Sequence, residues 1–94
     1  MFHEDRQKIS PKTLDLKRAI DSLKEELEAV DVYNQRADAT DDESLEKILR
    51  HNAAEEKEHA AMLVEWIRRN DDEFAHELKD YLFTEKPVTE IEEG

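Results

Sequence analysis

Residues 45–66 read LEKILRHNAAEEKEHAAMLVEW, a charged stretch between two apolar clusters. Repeated steps of 3 and 4 mark a helix with one apolar stripe. The stripe runs Leu45, Leu49, Asn52, Glu56, His59, Leu63, Trp66. At 100° per residue from Leu45, Glu56 and His59 fall inside it, Glu55 falls at its margin and Glu58 faces water. A carboxylate on an apolar stripe is expensive unless it is paired or binds a cation. No Lys or Arg lies on this stripe to pair with it.

This helix begins near Thr40, where Thr40 and Glu43 read as a capping box, and runs to about Asn70. Arg68 and Arg69 fall in its last turn, where positive charge complements the helix dipole. An earlier helix spans Pro11 to about Ala37. Ser10 serves as its N-cap and Pro11 as its first residue. Its stripe is Leu16, Ile20, Leu23, Leu27 and Val30, with Glu26 at one edge. A short third helix covers about Asp72 to Phe83, with Phe74, Leu78 and Leu82 on one side. Residues 1–9 and 87–94 read as flexible flanks of a single domain over 1–94. No segment combines β-branched and aromatic residues in the manner of a strand. The expected class is therefore all-α: an antiparallel two-helix hairpin plus a short C-terminal helix.

Two helices cannot enclose a four-helix core, so the free apolar face is expected to meet a second chain. Composition agrees. The chain has 94 residues, 37% hydrophobic and 43% charged, which is lean for a self-sufficient monomer. A net charge of −12 opposes nucleic acid and anionic membrane surfaces, and favours cations or basic partners. No apolar run is long enough to span a membrane. The absence of cysteine excludes disulfides and thiolate metal sites.

Glu56 and His59 form Glu-x-x-His, an i, i+3 pair that can reach one ion. With Glu26 this chain holds one Glu-x-x-His and one lone Glu. Di-metal carboxylate bundles use two of each. Two copies would complete the set for two metals. Oxygen and nitrogen donors of this kind suit iron, manganese or zinc. The competing reading is a non-enzymatic acidic helical module whose Glu and His form hydrogen bonds at an interface rim.

The segments EELEAVDVYNQRADA, HNAAEEKEHAAMLVEWIRRND and YLFTEKPVTEIE resemble the encapsulated ferritin family, ferritin-like proteins housed inside encapsulin nanocompartments. The resemblance covers roughly residues 14–92. It implies a homodimer that rebuilds a ferritin-like four-helix core, and dimers assembled into an open ring, a decamer. It implies a ferroxidase that oxidises Fe(II) to Fe(III) with O2 at a centre of two irons per dimer. It places the protein in the cytoplasm, inside an encapsulin shell that stores the iron. By position, Glu26, Glu56 and His59 would be the iron ligands, with Glu56 bridging, and Tyr33 would lie beside the centre. Glu25 and Glu28 would form an acidic site where metal enters; from the residues alone they read as a solvated face. Trp66 reads as core packing, Tyr33 equally as an interface residue with a hydrogen-bonded hydroxyl, and His51 as a surface or outer-shell residue and not a ligand. Val32 stands where family members carry Trp. The sequence closes on EIEEG without the targeting peptide of many members, so encapsulation rests on kinship.

Overall fold

The computed structural model describes residues 1–91. Three α-helices carry the fold: α1, Pro11–Ala39; α2, Glu43–Asn70; and α3, Asp72–Tyr81. Single 3-10 turns lie at Arg6–Lys8 and Val88–Glu90, and there is no strand among the described residues. The part of the expected loose tail at 92–94 lies outside the described residues.

Each helix starts where a side chain accepts from an otherwise orphaned backbone N–H. Ser10 Oγ accepts from Thr13 N at 3.1 Å, and Pro11 occupies the first turn. Asp42 Oδ1 accepts from Leu45 N at 2.8 Å. The start of α2 thus differs from the Thr40–Glu43 capping box read in the sequence. Thr40 Oγ1 instead accepts from Asp42 N at 3.1 Å, which shapes the connection and hands the cap to Asp42. Asp71 ends α2 and caps α3, its Oδ1 accepting from Phe74 N at 2.9 Å. One residue serves both helices, so the chain turns sharply there. α3 stops at Tyr81, two residues before the expected end, and Phe83 adopts φ 61°.

α1 and α2 pack as an antiparallel hairpin. Pairs across it descend in order: Asp38 with Arg50, then Glu26 with His59. Among the described residues the buried positions are Ala19 and Ala37 on α1 and Ala53, Ala60 and Ile67 on α2. Together with half-buried residues they define two seams, 19-23-26-30-33-37 and 49-53-56-60-63-67. Both repeat every seven residues, the pattern of helices packed at a shallow angle. Alanines let the backbones approach closely.

These seams sit to one side of the stripes expected from the sequence. Ile20 and Leu27 of α1 are 45% and 55% exposed, while Leu45, Ile48, Met62 and Trp66 of α2 lie between 38% and 58%. Trp66 therefore lines an open apolar face instead of the hairpin core. The expectation that an apolar face would be left over holds, but the face includes part of what looked like the seam.

The shape follows. The extents are 49 × 40 × 20 Å and the radius of gyration is 17.3 Å. A compact chain of this length would have about 12 Å. The chain exposes 7808 Å², against about 5,700 Å² for a compact monomer of its mass. The excess of roughly 2,100 Å² is of the order that a stable protein interface buries.

Candidate metal centre

The middle of the hairpin carries the polar residues that the sequence placed among leucines. Glu26 and Glu56 occupy corresponding seam positions on α1 and α2, and His59 lies one turn beyond Glu56. His59 Nδ1 is 3.5 Å from Glu26 Oε2 and 3.5 Å from Glu56 Oε2. One ligand atom from each residue lies within 4.8 Å of the other two. The two glutamates are each 24% exposed and the histidine 42%, so the cluster is sheltered by the hairpin and open on one side. Glu26 was expected at the edge of a stripe; it stands in the seam itself.

The contacts within the cluster are too long for good hydrogen bonds, which put N and O about 2.9 Å apart. Glu26 Oε2 is buried without a hydrogen-bond partner. Such an atom costs free energy in the isolated chain. Its direction explains it: it points into the space shared with a second carboxylate and an imidazole. Two carboxylates and one neutral imidazole nitrogen make a donor set suited to a divalent first-row metal, so the residues fit such an ion. One chain supplies three donors, and the most exposed of them, His59, stands one turn before the exposed Met62.

The other nominated residues fall outside this cluster. Glu25 and Glu28 are exposed on α1 and join no such cluster among the described residues. Tyr33 is half-buried, two turns after Glu26 on the same seam. Val32 beside it is also half-buried. His51 is exposed, with its Nε2 3.3 Å from Glu55 Oε1, which accounts for both without a metal. Lys57 and Glu58 face water as expected.

Charged pairs lie on either side of the cluster along α2. Arg50 donates to Asp38 across the hairpin at 2.9 Å and to Glu46 on its own helix at 2.8 Å. Both bonds raise the guanidinium pKa. At the far end Arg68 grips Glu65 through two bonds of 2.6 and 2.8 Å, and Arg69 adds a third at 2.7 Å. These hydrogen bonds, that of Arg68 foremost, hold the Glu65 carboxyl down at about 2. Among the described residues no helix is long and apolar enough to cross a membrane.

Two long antiparallel helices, one bearing Glu and the other Glu-x-x-His, followed by a short third, define the half-bundle version of the ferritin-like fold. The chain belongs to the EncFtn-like family, the encapsulated ferritins, whose profile matches residues 1–85. It is 54% identical over 92 residues to a ferritin-like protein of Thermotoga maritima, covering 98% of this chain and 81% of that protein. It is 56% identical over 90 residues to an encapsulated ferritin-like protein of Rhodospirillum rubrum, covering 96% of this chain and 64% of the relative. It is 42% identical over 59 residues to an encapsulin nanocompartment cargo protein of Myxococcus xanthus, covering 63% of this chain and 45% of that one. The chain thus spans under two thirds of the Rhodospirillum and Myxococcus proteins. A crystal structure of a Nitrosomonas europaea protein superposes with a TM-score of 0.89 at 62% identity, covering 93% of this chain and 96% of the other.

Proposed function

We propose that two copies of this chain pair through the open apolar face and oxidise Fe(II) to Fe(III) with O2 between them, supplying iron for storage inside an encapsulin shell. One observation carries the reading: a carboxylate oxygen of Glu26, buried and without a hydrogen bond, lies beside His59 and Glu56 in a half-bundle whose apolar face is left open. Twofold pairing doubles the ligand set to four glutamates and two histidines, for two irons per dimer.

Iron is the substrate of this reaction. Glu26, Glu56 and His59 of the two copies would hold two Fe(II) ions close together, with Glu56 the ligand that the family resemblance implies would be shared. Carboxylate donors stabilise Fe(III) over Fe(II) and so favour electron loss. Each pair of ions gives two electrons to O2, which takes up two protons and leaves as hydrogen peroxide. The surrounding leucines, alanines and paired helices restrict water to the open side. Tyr33, two turns further along the Glu26 seam, would come beside the centre through the pairing of two copies. Glu25 and Glu28, on the exposed side of α1, collect Fe(II), and the net charge of −12 raises its local concentration.

The names of the Rhodospirillum and Myxococcus relatives support a place inside an encapsulin nanocompartment, with the shell protein as partner. A hairpin 20 Å thin encloses no cavity for mineral, so a ring of dimers, a decamer, would deliver Fe(III) to the shell lumen. Aerobic Fe(II) oxidation followed by absorbance tests the reading. Glu56→Ala and His59→Ala should each abolish the fast phase, and near-normal rates in both would overturn it. Substituting Mn(II) or Zn(II) in binding competition separates iron from the other ions this donor set suits.

A further inference from the structure

The metal reading leaves both carboxylate ligands without outer support. No hydrogen bond reaches either carboxylate of the cluster among the described residues; Glu56 has only His59 Nδ1 at 3.5 Å, on its Oε2 side. Ligating carboxylates in metal sites are normally held by outer donors, which fix their rotation. Glu56, the ligand proposed to be shared between two ions, needs this most, because both of its oxygens would have to keep their directions.

On α2 the side chains within one turn of Glu56 are those of residues 52, 53, 59 and 60. Ala53 and Ala60 have nothing to donate and are buried in the seam. His59 is itself a ligand. Asn52 remains. It is half-buried and makes no hydrogen bond among the described residues. It also interrupts the open row of Leu45, Ile48, Met62 and Trp66, where an apolar residue would bury more surface on pairing. An amide in that row is unexplained by packing. At i, i+4 spacing its amide is within side-chain reach of Glu56, and a donor to a charged acceptor makes a strong bond.

We propose that Asn52 is a positioning residue for Glu56, its side-chain amide donating to the Glu56 carboxylate. This rests on the cluster being a metal site. Asn52 touches neither metal nor oxygen; it acts by holding the bridging ligand in the rotamer that two ions require. The bond forms when metal binding and pairing of two copies remove water from the amide.

Calorimetric titration of Co(II) into the metal-free full chain tests this without reference to catalysis. Co(II) should bind the wild type, and its failure to bind would remove the metal reading itself, and the proposal with it. Given binding, Asn52→Leu and Asn52→Asp should each lose about 10- to 100-fold in affinity, the cost of removing an outer partner. Asn52→Gln keeps an amide donor at the same i, i+4 spacing and should stay near the wild type. Leucine favours both helix and interface, so Asn52→Leu should fold and pair normally by circular dichroism and sizing. Wild-type affinity in Asn52→Leu would overturn the proposal. So would equal weakening in Asn52→Gln, or an altered oligomer of metal-free Asn52→Leu, which would make the residue a determinant of helix register instead.

Discussion

Met62 offers a direct trial of the idea that the open face is an interface. Its side chain is 58% exposed in the single chain and stands one turn beyond His59. Burying a whole Met, Leu or Ile side chain is worth about 1.5–3 kcal/mol. The share of Met62 still exposed, less the Cβ that alanine keeps, corresponds to about 1 kcal/mol per copy. A twofold interface counts the residue twice, so Met62→Ala should cost about 2 kcal/mol of pairing energy, or about 30-fold in the dissociation constant. Sedimentation equilibrium of metal-free protein over a dilution series reads that constant. Helicity should not fall, since alanine is the stronger helix former. An unchanged constant would refute the reasoning, as would a loss of stability independent of protein concentration.

Three further outcomes are expected. Glu26→Leu replaces an unpartnered buried acceptor with a side chain suited to the seam. The metal-free protein should gain roughly 1–3 kcal/mol in thermal unfolding while losing its response to Fe(II); a destabilised variant would show that Glu26 is satisfied in solution. Glu65, held at about 2 against an ordinary 4.5, contributes stability that is present above pH 4.5 and lost as pH falls toward 2. The stability gap between wild type and Glu65→Gln should therefore close over that window, and narrow with added salt because the pair is solvent-exposed; a pH-independent gap would contradict it. Added Fe(II) should tighten pairing if, as proposed, ligands from both copies bind the same ions; identical sizing profiles with and without metal would show the coupling to be absent.

Much of this was legible in the sequence because helices announce themselves by period. The three helices, the antiparallel hairpin and the left-over apolar face followed from steps of 3 and 4. Glu56 and His59 stood out because charge inside a stripe needs a reason. The misplaced features share a cause. A half-bundle helix buries one face against its own partner and leaves another open, so its apolar arc is wide and a single angle cannot divide it. Weighting by size drew the seam through Leu16, Ile20 and Leu27, whereas the structure closes it on Ala19 and Ala37, with Ala53 and Ala60 opposite. Small residues win there because close approach matters more than side-chain area. Trp66 was assigned to the core for the same reason. The start of α2 was misread because Thr40 and Asp42 are both competent caps, and only the path of the connection decides between them. The side on which Glu26 Oε2 lies unpartnered could be known only from coordinates.

The most direct measurement is anomalous scattering at the iron edge from crystals grown with Fe(II). Two iron peaks should lie between each pair of copies, bounded by Glu26, Glu56 and His59 of both. Peaks confined to the exposed acids, such as Glu25 and Glu28, or no peak between copies, would contradict a shared di-iron centre.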